Sequence, residues 1–205
     1  NNLVLHIGFN IRYDEGLQKA KLLIKEGQIG KPYFLKCTYV NGSVVTNDNK
    51  VGALLDMGIH NIYLAQMFMG NIQPIASAIQ RFEYVVKDRD DNGFVFLESN
   101  SMFGSIHFSL VRWKNDFNLE VTGSEGSVIV ESLTKWGIQT TIHHRRVYPS
   151  GAPMEKKYRF TVDNTWEMEC RDFKKRITEK DLSQNNEALE AMAIAKTIKD
   201  TSLIQ

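Results

Sequence analysis

Three observations predict an α+β fold for this chain: a β-α-β-α opening, a long middle stretch in which apolar and polar residues alternate, and a return of helical spacing at the end. Together they describe a single domain over residues 1–205. Its centre is a large, mostly antiparallel, open-faced β-sheet with helices packed on one face.

Each element has a local reason. LVLHIGF, residues 3–9, is a short apolar run of strand length. From Asp14 the spacing turns helical, with Leu17, Ala20, Leu23 and Ile24 on one stripe, Lys25 in the last turn and Gly27 as the stop. Gly30-Lys31-Pro32 makes a turn, and YFLKCTYV (33–40) follows as a strand. A polar segment over 41–50, opening on an Asn-Gly turn, leads to a helix over 54–69. That helix buries Ile59, Ile62, Tyr63 and Met67 and ends at Gly70.

From Ile75 onward the pattern alternates. Asp90-Asp91-Asn92-Gly93 carries an Asn-Gly turn between two strand-like runs, a hairpin signal because both residues tolerate positive φ. FVFLE and MFGSIHFSLVRW read as a second antiparallel pair joined by Ser99-Asn100-Ser101. LEVTG and GSVIVES form a third around Gly123-Ser124-Glu125-Gly126, and GIQTTIHH and KKYRFTV add two more strands. Helices follow over 166–177 and 186–200. Phe103, His107, Val111 and Trp113 alternate with Met102, Ile106, Phe108 and Leu110, so both sheet faces carry aromatics. One face is expected beneath helices. The other is expected against a second subunit or domain, since large apolar patches are seldom left in water.

Composition narrows the function. With 25 Lys+Arg against 24 Asp+Glu, the net field gives no reason to expect nucleic acid or an anionic membrane as partner. No apolar run approaches the roughly 20 residues needed to span a bilayer. Cys37 and Cys170 lie far apart without C-x-x-C spacing, which fits a reducing cytoplasm and argues against a disulfide framework.

GALLDMGIH, residues 52–60, places Asp56 and His60 four residues apart at a helix start. On an α-helix their Cβ atoms lie about 5–6 Å apart on one face. A carboxylate there orients an imidazole and favours its protonated form, which suits proton transfer near neutral pH. The spacing also fits a helix cap at Asp56 and a hydrogen-bonded structural His60. Two ligands without a third close in sequence make a metal site unexpected. Gly52 and Gly58 remove side chains on either side of the pair and permit close approach by a ligand or another backbone. Inside a helix Gly58 costs about 1 kcal/mol relative to Ala, so its position needs a reason.

The stretch resembles the G-G-x-L-x-D-x-G-x-H signature of the glucose–fructose oxidoreductase and inositol dehydrogenase (Gfo/Idh/MocA) family of NAD(P)-dependent oxidoreductases. The opening is similar to the start of that family's second domain, with Gly8-Phe9-Asn10, Arg12-Tyr13 and Gly27-x-x-Gly30-x-Pro32. LEVTGSEGSVIV resembles its late strand pair. The closing helices, from Trp166 through Phe173 to 186–200, fit as well, so almost the whole chain is covered.

The resemblance implies a glyceraldehyde-3-phosphate-dehydrogenase-like C-terminal domain for substrate binding and homo-oligomerisation through the sheet face. It implies NAD or NADP held mainly by a partner Rossmann domain that also supplies a catalytic lysine; no G-x-G-x-x-G follows a strand here. It implies that His60 moves the proton of a sugar-like or polyol-like hydroxyl, with Asp56 bonded to His60 or to the substrate, in a fragment inactive alone. Asn10 and Arg12 fall where the family often places groups near cofactor or substrate, while a surface ion pair for Arg12 fits equally. Trp113 and Lys114 fit a sugar pocket through stacking, or sheet packing. His143-His144-Arg145-Arg146 fits a phosphate contact or a solvated strand end. Tyr63 stands where many members have aspartate, a departure that bears on substrate or helix packing. The same fold also serves ligand-sensing regulators, and a dimerisation module is a third reading; Asp56 and His60 favour the enzyme.

Overall fold

The computed structural model describes residues 3–43, 51–83 and 89–204, so the polar segment expected over 41–50 lies outside the described residues from position 44. A 3₁₀ turn, Asn10–Tyr13, leads into α1 (Glu15–Lys25). Asp14 caps that helix, its Oδ1 accepting from Gly16 N at 3.1 Å and Leu17 N at 3.4 Å. Then follow β1 (Pro32–Val40), a π-helical turn (Leu54–Gly58) continuing into α2 (Ile59–Met69), β2 (Gln73–Gln80), β3 (Asn92–Glu98) and β4 (Phe103–Ser109). β5 (Asp116–Gly123), β6 (Gly126–Glu131), β7 (Gln139–Arg145) and β8 (Met154–Phe160) complete the main sheet. α3 (Thr165–Glu179), α4 (Glu187–Thr201) and a short edge strand β9 (Leu203–Ile204) close the described chain.

Among the described residues nine strands form one sheet in the order β8-β7-β6-β5-β1-β4-β3-β2-β9. Each neighbouring pair is antiparallel except β1/β4 and β2/β9. Alternation along the sequence reads as a meander, and the structure corrects that in one respect. β1 inserts at the centre, parallel to β4 and antiparallel to β5.

Two further expectations are revised. LVLHIGF is extended but joins no sheet; its backbone is held by side chains instead. Leu5 N donates to Asn185 Oδ1 at 2.9 Å, Asn185 Nδ2 donates to Leu3 O, and Arg176 Nη1 reaches Leu5 O. Asn92-Gly93 is not a turn but the start of β3. Asn92 Nδ2 donates to Gln80 Oε1 across the pair, and a Cβ at position 93 would collide with the Phe108 ring. The antiparallel pairing of β2 with β3 survives, with its connection earlier in the chain.

Helices cover one face. α1 packs on β6, β7 and β8, α2 on β1 and β4, and α4 on β2 and α2, while α3 packs on the 3₁₀ turn. Leu17, Ala20 and Leu23 of α1 and Ile62, Leu64 and Ala65 of α2 bury into one core with Leu35, Cys37, Ile106, Leu119, Val121 and Val128. The opposite face is open: Phe94, Phe96 and Phe103 are 47%, 57% and 63% exposed.

Candidate active site

The π-helical turn starts the site. Gly52 takes φ +80°, and a Cβ there would strike the Asp90 carboxylate. Asp90 therefore reaches the helix start unobstructed: its backbone O accepts from Ala53 N at 2.8 Å and its Oδ2 from Leu54 N at 2.6 Å. The turn so begun carries Asp56, and α2 continues from it with His60 at its second position. Wider i→i+5 winding often marks functional sites, and it still leaves residues four apart on one side of the helix.

His60 lies in an aromatic setting. Its ring meets Phe9 and Tyr39 edge-on, each at 5.8 Å between centroids. Tyr39 in turn packs against Phe117 at 6.0 Å and Trp136 at 5.7 Å. Spacing suggested that Asp56 would favour the protonated imidazole; the structure reverses this. Burial, and after it the positive charge of Lys135, lower the His60 pKa to about 4. The imidazole is neutral at physiological pH.

Lys135 was not singled out by the sequence. It sits in a 3₁₀ turn (Thr134–Trp136) between β6 and β7. Although the residue as a whole is exposed, its ammonium turns inward. Nζ donates to Tyr39 Oη at 2.7 Å and lies over the rings of Tyr39 and Trp136 at 5.1 and 5.0 Å. Burial lowers its pKa against the attraction of Asp163, Asp56 and Asp14. The turn is fixed from below, because Thr134 N and Oγ1 donate to Asp14 Oδ2 at 3.4 and 3.0 Å. The available signal was a lysine next to tryptophan in a short turn after a strand, which needs the fold to become specific.

The remaining candidates divide. Asn10 is buried, donates to Thr165 Oγ1 at 3.0 Å, and shares a small pocket with Asp14, Thr134, Lys135, Asp163 and Thr165. Arg12 faces α4: Nη1 pairs with Glu187 Oε2 at 3.0 Å and Gln184 Oε1 at 3.3 Å, and the guanidinium lies over Tyr63 at 5.1 Å. Tyr63 stacks on Phe9 at 4.3 Å and donates to Glu187, so this departure from the family pattern ties α2 to α4. Gly58 faces the sheet, where Phe108 fills the space beside it. Trp113, at φ +65° and 64% exposed, stands in the β4–β5 turn. The basic run of β7 is engaged: His143 Nε2 lies 3.2 Å from Gln28 O, His144 Nε2 3.0 Å from Glu155, and Arg146 stacks on Tyr148. His107 stacks on Phe94 at 4.1 Å and lies 3.0 Å from Asn92 Oδ1. No group of three or more His, Cys, Asp or Glu side chains suited to a metal occurs among the described residues, and no helix there is long and apolar enough to cross a membrane.

Residues 17–129 match the GFO/IDH/MocA C-terminal domain. The chain belongs to that family. Among similar proteins, myo-inositol 2-dehydrogenase of Thermotoga maritima is 28% identical over 149 residues, which are 68% of this chain and 45% of the relative. The uncharacterised oxidoreductase YrbE of Bacillus subtilis is 32% identical over 74 residues, 35% of this chain and 22% of its own length. The chain thus spans less than half of either relative. Among solved structures, KijD10, a 3-ketoreductase from Actinomadura kijaniata in complex with NADP, superposes with TM-score 0.81 at 15% identity, covering 99% of this chain and 62% of that one. Levoglucosan dehydrogenase in complex with NADH gives TM-score 0.80 at 19% identity, covering 98% and 66%. These likenesses show that the open sheet with helices on one face is a fold shared with both of these proteins.

Proposed function

We propose that this GFO/IDH/MocA domain is the substrate-facing part of an NAD(P)-dependent oxidoreductase acting on a sugar, a polyol or a related hydroxy or carbonyl compound. The observation that carries the reading is His60: an imidazole kept neutral near pH 7, in the first turn of α2 just after the π-helical turn that carries Asp56, walled by Phe9 and Tyr39. In the oxidation direction His60 takes the proton of the substrate hydroxyl as its carbon gives up hydride and becomes a carbonyl. NAD or NADP supplies the hydride acceptor. The domain's own residues fit that division of labour, since the cluster handles protons while the sequence holds no glycine-rich loop to cradle a pyrophosphate. The nucleotide, and the family's catalytic lysine, are assigned to a Rossmann partner domain, and this domain alone is expected to be inactive.

The names of similar proteins, inositol dehydrogenases and a levoglucosan dehydrogenase among them, support the polyol and sugar class. The aromatic open face supports self-association as a companion role. The test is His60→Ala in the full-length protein. Loss of a positioned general base lowers kcat/KM for alcohol oxidation about 10²–10⁴-fold with assembly unchanged. Undiminished turnover removes His60 from the chemistry and favours a ligand-sensing or purely assembling role.

A further inference from the structure

Two charges of opposite sign flank the Tyr39–His60 contact. Asp56 stands one turn before His60, and its carboxylate raises the Tyr39 pKa, second to burial. By itself such a carboxylate would also favour the imidazolium. Lys135 approaches from the 3₁₀ turn between β6 and β7, its ammonium 2.7 Å from Tyr39 Oη and its charge opposed to protonation of His60. Tyr39 is therefore the shared wall, touched edge-on by the imidazole and hydrogen-bonded by the ammonium.

We propose that Lys135 is a positioning residue of this site, whose ammonium, seated on the Tyr39 hydroxyl that walls His60, holds the imidazole ready to accept a proton. The proposal rests on the oxidoreductase reading for its purpose but not for its test. The groups facing the ammonium are Asp56 from the π-helical turn, Asp163 from the β8–α3 connection, Asp14 from the cap of α1 and Tyr39 from β1. The three carboxylates oppose the loss of charge that burial favours at Lys135. Asp14 also holds the turn that carries it.

The experiment follows the His60 ring Cε1–H signal through a pH titration by NMR in the full-length protein, wild type against Lys135→Met, Lys135→Arg and Tyr39→Phe. Removing one charge of this kind raises the His60 midpoint by about 0.5–1 pH unit. Lys135→Met is expected to show that rise and Lys135→Arg to keep the wild-type midpoint. An unmoved midpoint in Lys135→Met overturns the proposal, and so does an equal rise in Lys135→Arg, because then packing and not charge is at work. Should Lys135→Met fail to fold, Tyr39→Phe decides: it frees the ammonium while keeping the ring, and a rise supports the proposal while no rise overturns it. In parallel, the acid limb of kcat/KM for sugar or polyol oxidation moves with the midpoint. A wild type that oxidises no such compound, with the NMR shifts as expected, defeats the oxidoreductase reading and leaves the role of Lys135 standing.

Discussion

Replacing Gly58 by alanine tests how closely α2 must lie on the sheet to carry His60. A Cβ at position 58 would stand 2.9 Å from Phe108 Cδ1, 3.0 Å from its Cγ and 3.1 Å from Leu54 Cδ1. The Phe108 ring has nowhere to retreat. It is fully buried, and on its other side it lies over Gly93, where a Cβ would also collide with it. Overpacking of this kind costs about 1–3 kcal/mol, and better helix propensity returns about 1 kcal/mol. The net loss is at most about 2 kcal/mol, which is up to about 8 °C in Tm for a chain of this size. Because the strain is relieved by lifting α2 off β4, His60 moves away from Tyr39, and a displacement near 1 Å costs about 10²-fold in turnover. Thermal melts of the full-length variant, together with kcat/KM on a sugar or polyol substrate, read both effects. Gly93→Ala, pressing on the same ring from below, should lose comparable stability. An alanine at 58 that melts at or above the wild-type temperature with full activity refutes the reasoning, since it means the helix–sheet spacing has slack.

Asp14→Ala removes the acceptor of Gly16 N, Leu17 N and both Thr134 donors, so about 2–3 kcal/mol of stability should be lost in urea unfolding; Asp14→Asn, which keeps an acceptor, should lose clearly less. The depressed His60 pKa makes the fold pH-sensitive with a definite sign. Between pH about 6.5 and about 4 the unfolded chain binds the proton that folded His60 refuses, so stability falls as pH drops through that window, by about 3 kcal/mol at most. His60→Gln should lack this increment when urea midpoints at pH 7 and pH 4.5 are compared with wild type; equal slopes in both proteins would show that burial at His60 is not what couples them. If the open face mediates self-association, Phe96→Glu with Phe103→Glu should lower the assembly state seen by light scattering while leaving the melting temperature of the dissociated protein nearly unchanged; an unaltered assembly state removes this face as an interface.

Local periodicity made most of the fold legible, because helix and strand spacing depend on nearest neighbours along the chain. α1 with its Asp14 start and Gly27 stop, the β5–β6 pair around Gly123–Gly126 and the closing helices all follow from such local rules. What failed was long-range. The place of β1 between β4 and β5 depends on pairings with residues about 70–90 positions later, to which its own alternation is indifferent. LVLHIGF has strand chemistry but no strand beside it among the described residues, so Asn185 and Arg176 take its backbone groups instead. Asn92-Gly93 has turn chemistry but is drawn into β3, because Phe108 needs a residue without a side chain there.

The candidate site shows the same division. Asp56 and His60 lie within one motif and could be read together. The charge state of His60 could not, because it depends on burial against Tyr39 and on the charge of Lys135, which come from other elements. In the register of the sheet Tyr39 is paired with Phe108 on one side and Phe117 on the other, so three rings cross β4, β1 and β5 in a row. α2 rests on that row through Gly58, His60 meets its middle ring, and Lys135 is tied to the same ring's hydroxyl. The central placement of β1 is thus what gives the Asp56 and His60 motif at a helix start a desolvated setting with a fixed wall. A site built on an edge strand would have left Tyr39 one supporting neighbour and His60 closer to water, and an imidazole in water has no reason to stay neutral below its ordinary pKa of about 6.5.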